Sequence, residues 1–386
     1  MPRPEIYGWD VGGAHVKLSR SVAGQVQDVA QWPCPLWLGM DRLDAVLQAA
    51  LERWPQLKAP PTRHAVTMTG EMVDHFTHRE AGVQAIATQL AKALAPARLR
   101  LFAGDGGWCG PADAGRSWAG IASANWLATA RHVAQAAQVA RLAQVAQVAQ
   151  VAQVAQAAQA AQVAQLTFAG SGAGVLIDIG STTTDLIAFR GGQVLTAARS
   201  DAERLAGGEL VYHGVVRTPL CALGPRIHWS GQPHNLMNEF FATTADVYRL
   251  TGELDPAHDM QPPADSAGKD LPATRQRLAR MVGLDARDGS DAEWLAMAQA
   301  WRERQLTEIA SQLQRVLARH GLGRDAQVVR AGCGAFLVDG LARRCGLAPG
   351  VAYADIAAAV DPAVRGWAQV CAPCIAVAAL LAQEEG

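Results

Sequence analysis

Two stretches of the sequence place a carboxylate next to glycine at the end of an apolar run. They read IYGWDVGGAHVK and VLIDIGSTTTD, with the carboxylates at Asp10 and Asp178 and the glycines at Gly12, Gly13 and Gly180. Glycine allows backbone N–H groups to approach an anion closely, since there is no Cβ in the way. A carboxylate oxygen is a hard ligand that suits Mg²⁺. The pattern therefore predicts two polyphosphate-binding loops.

Each loop carries further groups suited to phosphate or metal. Lys17 could neutralise phosphate oxygens, and a solvated lysine on a strand is the alternative interpretation; Asp185 follows the second loop. Hydroxyls beside a glycine turn can donate to phosphate oxygens. The predicted metal ligands are Asp10, Asp178 and Asp185. The predicted phosphate-binding residues are Gly12, Gly13, Lys17, Gly180, Ser181, Thr182 and Thr183.

The elements around the loops repeat, which predicts an α/β fold with a duplicated unit. Each loop opens a three-stranded meander, with strands at Ile6–Asp10, Val16–Ser21 and Val26–Ala30 in the first half. The second half has strands at 175–178, 184–190 and 193–198, and later a strand at 327–330. We predict domains at 1–170 and 171–386, with a helical insertion at about 207–320, and with the two loops facing each other across a cleft.

Acidic residues follow two other strands of the first half. Glu71 and Asp74 follow a strand at His64–Met68, where we expect a helix to begin, and Asp105 ends a strand at Leu99–Ala103. Ligands of open α/β sheets bind beyond the carboxyl ends of strands, so these residues are candidates for a catalytic or substrate-binding role. Stabilisation of a helix N-terminus would explain Glu71 and Asp74 equally well, and ordinary turn chemistry would explain Asp105.

Residues 133–165 repeat Val-Ala-Gln almost without interruption. Alanine and glutamine favour a helix, so a long low-complexity helix is expected. A three-residue period drifts against 3.6 residues per turn, which would wind the valines around the helix and leave no single apolar face. The repeat is interpreted as a tolerated expansion, with an oligomerising rod as the alternative.

Two further patterns are interpreted as structural. His75 and His78 lack further metal ligands nearby in the sequence, and Cys371 and Cys374 lie in an apolar helical tail without a second pair. The chain has 386 residues, a net charge of −1 and 50% hydrophobic residues. The sequence has no basic run of the kind expected in a nucleic-acid-binding protein, and no apolar stretch is long enough to span a bilayer. Seven cysteines without disulfide spacing fit a reducing cytoplasm.

Several motifs resemble the actin, sugar kinase and heat-shock ATPase superfamily, with its two phosphate motifs and its adenosine motif. The segment at residues 331–334 is similar to the adenosine motif. Within that superfamily the chain looks like the hydantoinase/oxoprolinase-like proteins linked to tetrahydromethanopterin C1 transfer. The segments that carry this resemblance read GWDVGGA, TMTGEMVD, SANWLATA, DIGSTTTD, RTP, EFFATTAD and ADSAGK.

The resemblance implies a duplicated RNase H-like fold and a transferase of methanofuran biosynthesis. Archaeal members of that group join an aminomethylfuran methyl diphosphate to the phenol of γ-glutamyltyramine, releasing diphosphate. Asp10 and Asp178 would then act with Mg²⁺ on the diphosphate, and Glu71 would be the base for the phenol. The expected substrate-binding residues are Asp74, Asp105, Arg217, Glu239, Asp246, Asp265, Lys269, Gly332 and Gly334.

Two other classes of function remain open at this point. An ATP-using kinase or amide-ring hydrolase would form ADP, with residues 331–335 against adenine. A non-catalytic nucleotide-binding or assembly module would bind without turnover and would use the repeat as a contact surface. The acidic residues after strand ends favour an enzyme over that module, with small molecules as its partners.

Overall fold

The computed structural model describes residues 5–149, 172–356 and 360–385, without the side chains of 143–149. The part of the repeat at 150–165 lies outside the described residues. The strands are β1 (Glu5–Val11), β2 (His15–Val22), β3 (Gln25–Pro33), β4 (Arg63–Met68), β5 (Arg98–Phe102), β6 (Trp108–Cys109), β7 (Ala173–Ile179), β8 (Thr184–Arg190), β9 (Gln193–Val194), β10 (Leu210–Val211), β11 (Arg226–Trp229), β12 (Gln232–Asn235), β13 (Gln327–Ala331) and β14 (Val351–Ala352).

The helices alternate with these strands, as in an α/β protein. They are α1 (Asp41–Arg53), α2 (Arg79–Leu94), α3 (Trp118–Ile121), α4 (Asn125–Ala149), α5 (Asp201–Gly207), α6 (Thr244–Leu250), α7 (Leu271–Arg280), α8 (Asp291–Arg319), α9 (Val338–Arg344), α10 (Tyr353–Ile356), α11 (Arg365–Val370) and α12 (Ala372–Glu384).

The same strand arrangement occurs twice, which confirms the predicted duplicated RNase H-like fold. The first sheet has the order β3-β2-β1-β4-β5-β6, with β1 antiparallel to β2 and parallel to β4. The second contains the run β10-β8-β7-β13, with β9 paired to β8 and β13 parallel to β7. In both sheets the strand that carries the aspartate is central, which suits strands that are buried on both faces and rich in apolar residues.

The chain forms two compact units. The first contains residues 1–173, 189–201 and 351–386, and the second contains 174–188 and 202–350. These units differ from the predicted domains, because the C-terminal residues group with the first unit. Helix α12 lies against the first sheet: the Ser19 hydroxyl donates to the Cys374 carbonyl oxygen over 3.0 Å, and that oxygen occupies the space beside Gly8.

Amphipathic spacing explains the long helices of both units. Helix α1 buries Leu43, Val46, Leu47 and Ala50, which lie on one helical face. In the predicted insertion, α8 begins at a capping box between Ser290 and Glu293 and buries two tryptophans along its length. The helical character predicted for about 207–320 is confirmed, with the addition of the β11-β12 hairpin.

Two local predictions were wrong. No helix begins after Gly70: a single 3₁₀ turn covers Gly70–Met72, and α2 starts at Arg79, where the His78 side chain accepts from the Ala81 N–H and caps it. The third strand of the second meander ends at Val194 rather than at residue 198. Helix α4 starts at Asn125, shortly after Ser123, whose φ of +50° is incompatible with a helix.

The described part of the repeat is helical, as expected, and its valines point in different directions. Val133 is 1% exposed and Val139 is 66% exposed. The expectation that no face would be buried was wrong for this part, since Ala134, Ala137 and Ala140 are all fully buried. Over two turns the drift of a three-residue period is small enough for one row of alanines to remain on the packed side.

Candidate functional site

Asp10 lies near the carboxyl end of the central strand β1, opposite Lys17 on β2 and Thr67 on β4. Its carboxylate is 3.7 Å from the Lys17 ammonium and accepts a hydrogen bond of 3.5 Å from the Asn125 amide. Asp10 is only 4% exposed, and burial raises the pKa of its carboxyl, against the effect of Lys17 and Asn125.

The first loop is a tight turn with little space around it. The Gly12 N–H donates to the His15 carbonyl oxygen over 2.9 Å. A Cβ on Gly12 would lie 2.8 Å from that same oxygen, and one on Gly13 would lie 2.8 Å from a methyl of Val73. The glycines are therefore required by local packing as well as being suited to an anion.

Glu71 is a buried carboxylate held at one oxygen. Its Oε1 accepts from Arg79 over 3.0 Å and from the Ser123 hydroxyl over 2.9 Å, and Arg79 also donates to that hydroxyl over 2.6 Å. Arg79 reaches a second carboxylate, Asp201, at 3.3 Å. The other oxygen of Glu71, Oε2, is buried and has no hydrogen-bond partner among the described residues. Burial raises the pKa of Glu71, against the effect of Arg79 and Ser123.

The second loop is more open than the first. Asp178 and the loop residues after it, Gly180 to Thr183, are half-buried. The Gly180 N–H donates to the Thr183 carbonyl oxygen over 2.8 Å, and the Ser181 and Thr182 hydroxyl oxygens are 3.4 Å apart. The Ser181 carbonyl oxygen accepts from the N–H groups of residues 216 and 217, which fixes the loop from behind.

The glycine segment after β13 packs directly on this loop. The Gly334 N–H donates to the Ile179 carbonyl oxygen over 2.8 Å. Gly332 has a φ of +83°, and a Cβ there would lie 2.1 Å from the Ile179 carbonyl oxygen and 2.5 Å from the Asp178 carboxylate. The structure thus brings together Asp178, Gly180, Ser181, Gly332 and Gly334. Arg217 joins them through its backbone, and burial lowers the pKa of its guanidinium.

Asp185 is engaged by an arginine. Arg204 is only 2% exposed, and its side chain forms an ion pair with the Asp185 carboxylate. A carboxylate already neutralised by a buried guanidinium has less to offer a metal ion.

Three of the expected substrate-binding residues form a charge network in the insertion. Asp246 is fully buried and accepts from Arg249 over 2.8 Å and from Arg277 over 2.7 Å. Arg277 also binds Asp265 at 3.1 Å, and Arg249 continues the network to Asp259, which pairs with Lys269 at 3.3 Å. These pairings hold α6, α7 and the intervening segment together.

The remaining candidates are exposed. Asp74 and Glu239 lie at the surface, and Asp105 pairs with Arg131 and Arg199, whose hydrogen bond lowers the pKa of the Asp105 carboxyl. The predicted core position of Cys371 and Cys374 is confirmed, since both are fully buried. The histidines at 75 and 78 precede α2 rather than sharing a helix face.

The described residues contain no obvious metal centre and no single helix that could span a membrane. No cluster of at least three His, Cys, Asp or Glu side chains there could hold a metal ion by itself. No single helix there is long and apolar enough to cross a membrane. One bent pair, Pro362–Val370 with Ala372–Glu384, passes the same test of length and composition at an angle of 104°.

Sequence reasoning assigned no role to three residues that contact the acidic candidates of the first unit. Arg79 and Ser123 bind Glu71, and Asn125 binds Asp10. The only signal was the SANW motif, whose serine and asparagine are two residues apart and reach two different carboxylates. Ser123 is 52 residues from Glu71 and Asn125 is 115 residues from Asp10, so no local pattern pairs them.

The chain belongs to the hydantoinase/oxoprolinase family, whose family model matches residues 148–360, more than half of its length. Among relatives, it is 26% identical over 317 residues to the (4-{4-[2-(gamma-L-glutamylamino)ethyl]phenoxymethyl}furan-2-yl)methanamine synthase of Methanocaldococcus jannaschii. That alignment covers 82% of this chain and 83% of the relative. The enzyme of the same name from Methanococcus vannielii is 31% identical over 153 residues, covering 38% of this chain and 66% of the relative.

Solved structures show weaker similarity. A ROK family glucokinase from Streptomyces griseus, in complex with glucose and AMPPNP, aligns over 98% of this chain and 99% of its own at 10% identity and a TM-score of 0.43. This score is too low to support a conclusion, so the fold assignment depends on the strand order of the two sheets.

Proposed function

We propose that this protein is a transferase of methanofuran-type cofactor biosynthesis. It would join an aminomethylfuran methyl diphosphate to the phenol of γ-glutamyltyramine, or to a related acceptor, and release diphosphate. The observation that carries this proposal is the similarity over 82% of the chain to a synthase whose named product contains a phenoxymethyl bridge to a furan. The reaction would take place in the cytoplasm on small molecules.

The second loop suits the leaving diphosphate. Its half-buried hydroxyls at residues 181–183 can donate to phosphate oxygens, and the Ser181 carbonyl oxygen is already occupied by two backbone N–H groups. Loss of diphosphate from a furfuryl carbon is aided by donors positioned at the oxygens that become charged. We assign Gly180, Ser181, Thr182 and Thr183 to this task.

The carboxylates of the loops fit Mg²⁺ in the limited way that this ion requires. Mg²⁺ keeps several waters and is bound through one or two carboxylates together with substrate phosphates, so a ring of protein ligands is unnecessary. Asp178, half-buried beside Gly332, and Asp10, at the end of β1, are the residues that would hold it. When bound, the ion would neutralise charge on the departing diphosphate.

Glu71 suits the acceptor. A phenol has a pKa near ~10, so it must lose its proton as its oxygen attacks. A buried carboxylate with a raised pKa is a stronger base than an exposed one, and such a base contributes roughly 10²–10⁴-fold to rate. The proposed order of events is attack of the phenol oxygen on the furfuryl carbon, departure of diphosphate with the bonding electrons, and transfer of the phenol proton to Glu71.

An assay with a defined substrate pair tests the proposal. The protein is incubated with Mg²⁺, the furfuryl diphosphate and γ-glutamyltyramine, and both diphosphate and the ether are quantified. We expect equal amounts of both products, and a decrease of about 10²-fold or more in Asp178→Asn. Glu52→Gln, an exposed carboxylate on α1, is the matched control and should keep full activity.

An ATP-using enzyme is the second candidate, because one observation favours it. The Gly332–Gly334 segment packs on the aspartate loop, where the resemblance expects an adenosine motif. Replacing the furfuryl diphosphate with ATP distinguishes the two. Formation of ADP dependent on an acceptor, without ether from the furfuryl diphosphate, would overturn the transferase.

A further inference from the structure

Glu71 is unusual because its two carboxylate oxygens have opposite environments. Oε1 receives both of the hydrogen bonds available from Arg79 and Ser123, at 3.0 and 2.9 Å. Oε2 is equally buried and lacks a partner among the described residues. A buried polar atom without a partner costs free energy, which a carboxylate in a purely structural ion pair would avoid by sharing its donors between both oxygens.

The backbone at Ser123 indicates that this arrangement is imposed. Ser123 has a φ of +50°, a conformation that is unfavourable for a residue with a Cβ. Its hydroxyl donates to Glu71 Oε1 and accepts from Arg79 at 2.6 Å. One strained residue thus bridges the Glu71 carboxylate and the Arg79 guanidinium. Strained residues of this kind collect at functional sites, where the surrounding structure maintains them.

Arg79 is shared between two carboxylates. One of its terminal nitrogens lies 3.0 Å from Glu71 and 3.3 Å from Asp201. The charged groups that act on Glu71 are thus Arg79 directly and Asp201 through it. Because the Asp201 carboxylate offsets part of the positive charge of Arg79, the guanidinium can orient Glu71 without fully neutralising the Glu71 carboxylate.

We infer that Arg79 and Ser123 are positioning residues that hold Glu71 by Oε1 so that Oε2 alone accepts the proton of the acceptor hydroxyl. This inference deepens the proposed function and rests on it for the identity of the acceptor, a phenol. In the reaction, the O–H bond of the phenol breaks and its proton binds Oε2. The phenol oxygen bonds to the furfuryl methylene carbon, and the carbon–oxygen bond to diphosphate breaks with both electrons leaving on diphosphate.

The test is the pH dependence of kcat/KM in Arg79→Gln and Ser123→Gly. Glu71 must be deprotonated to act, so activity falls on the acid side with its pKa. Removing the cation should raise that pKa and move the acid limb to higher pH by about 1–3 units. Ser123→Gly should move it in the same direction by less than about 1 unit. In both variants kcat should fall while KM changes little.

Ser123→Gly keeps the test independent of folding, because glycine adopts a φ of +50° without strain. Arg42→Gln is the matched control: it removes an exposed arginine that also pairs with a carboxylate, Asp41, and should leave the acid limb in place. A transferase that is active with an unmoved limb in both test variants would overturn the inference and leave the proposed function standing.

A second measurement separates the opposite failure. The protein is labelled with ¹³C at the glutamate carboxyl carbon, and the Glu71 resonance is identified by its loss in Glu71→Gln. Titration should show a higher Glu71 pKa in Arg79→Gln than in the unaltered protein. That shift in a protein without transferase activity would support the positioning and reject the proposed reaction. An unchanged pKa would reject the positioning in either case.

Discussion

The two aspartate loops have the same backbone and different surroundings. In both, a glycine N–H two residues after the aspartate donates to the carbonyl oxygen three residues further on, over 2.9 Å at Gly12 and 2.8 Å at Gly180. The loop after the parallel strand also donates to the residue following the aspartate in both units, from Thr69 to Val11 and from Gly334 to Ile179. The duplication therefore preserves the main-chain frame.

The side chains at equivalent positions differ in charge and burial. The residue seven after the aspartate is Lys17 in the first unit, where it lies 3.7 Å from Asp10, and Asp185 in the second, where Arg204 pairs with it. The first loop is confined by Val73, whereas the second carries three half-buried hydroxyl residues. The same backbone arrangement thus supports a buried carboxylate site in the first unit and a more exposed, hydroxyl-rich site in the second. The two copies have therefore diverged in the charge and burial of their side chains.

The largest effect should come from the charge that differs between the copies. Asp185→Asn removes the negative charge that pairs with the buried Arg204 guanidinium, which we expect to lower the free energy of unfolding by about 3–5 kcal/mol. Lys17→Met removes a partly exposed partner of Asp10, which keeps the Asn125 amide, and should cost about 1 kcal/mol. Urea unfolding of both variants measures this, and equal losses would contradict the comparison.

A smaller effect should appear on acidification, and it tests how strongly burial disfavours protonation of two histidines in the first unit. Burial lowers the pKa of His64 and of His132 to about 4. Since the unfolded chain binds these protons from pH ~6.5 downward, stability should fall between pH 6.5 and 4, by about 2 kcal/mol per histidine at pH 5.

The variant His64→Gln should flatten this dependence. In the native protein His64 accepts from the Trp9 indole over 3.0 Å and its other ring nitrogen is 2.9 Å from the Leu57 carbonyl oxygen, an arrangement that fits a neutral ring. Urea unfolding at pH 7 and pH 5 gives the slope, and His75→Gln, in an exposed loop, should leave it unchanged. A slope that is the same in all three proteins would contradict the prediction.

The smallest effect compares the same turn position in the two copies. Gly12→Ala places a methyl 2.8 Å from a backbone oxygen, which should cost about 1–3 kcal/mol of stability. Gly180→Ala meets only an ordinary contact of 3.5 Å and should cost less than about 1 kcal/mol. The shift in melting temperature of each variant measures the difference. A larger shift in Gly180→Ala would show that the second loop is the more confined.

The sequence was sufficient to predict the duplicated meanders and the two aspartate turns, because strand alternation and glycine turns are local patterns. It could not pair Glu71 with Ser123, since a contact between side chains 52 residues apart leaves no periodic signal. Nor could it show that Asp246 is a hydrogen-bonded partner in a buried arginine network, since composition alone does not reveal such contacts. The compact units also differ from the predicted domains because of a long-range contact. The final helix packs on the first sheet, where Cys374 binds Ser19 across 355 residues of sequence.

That return of the chain affects the order of events on the ribosome. The carbonyl oxygen of Cys374 fills the space over Gly8 and binds the Ser19 hydroxyl, so one side of β1 and β2 stays uncovered until α12 has been synthesised. Residues 202–350, in contrast, all emerge before that helix. The sheet whose strands are translated first therefore receives its covering helix last.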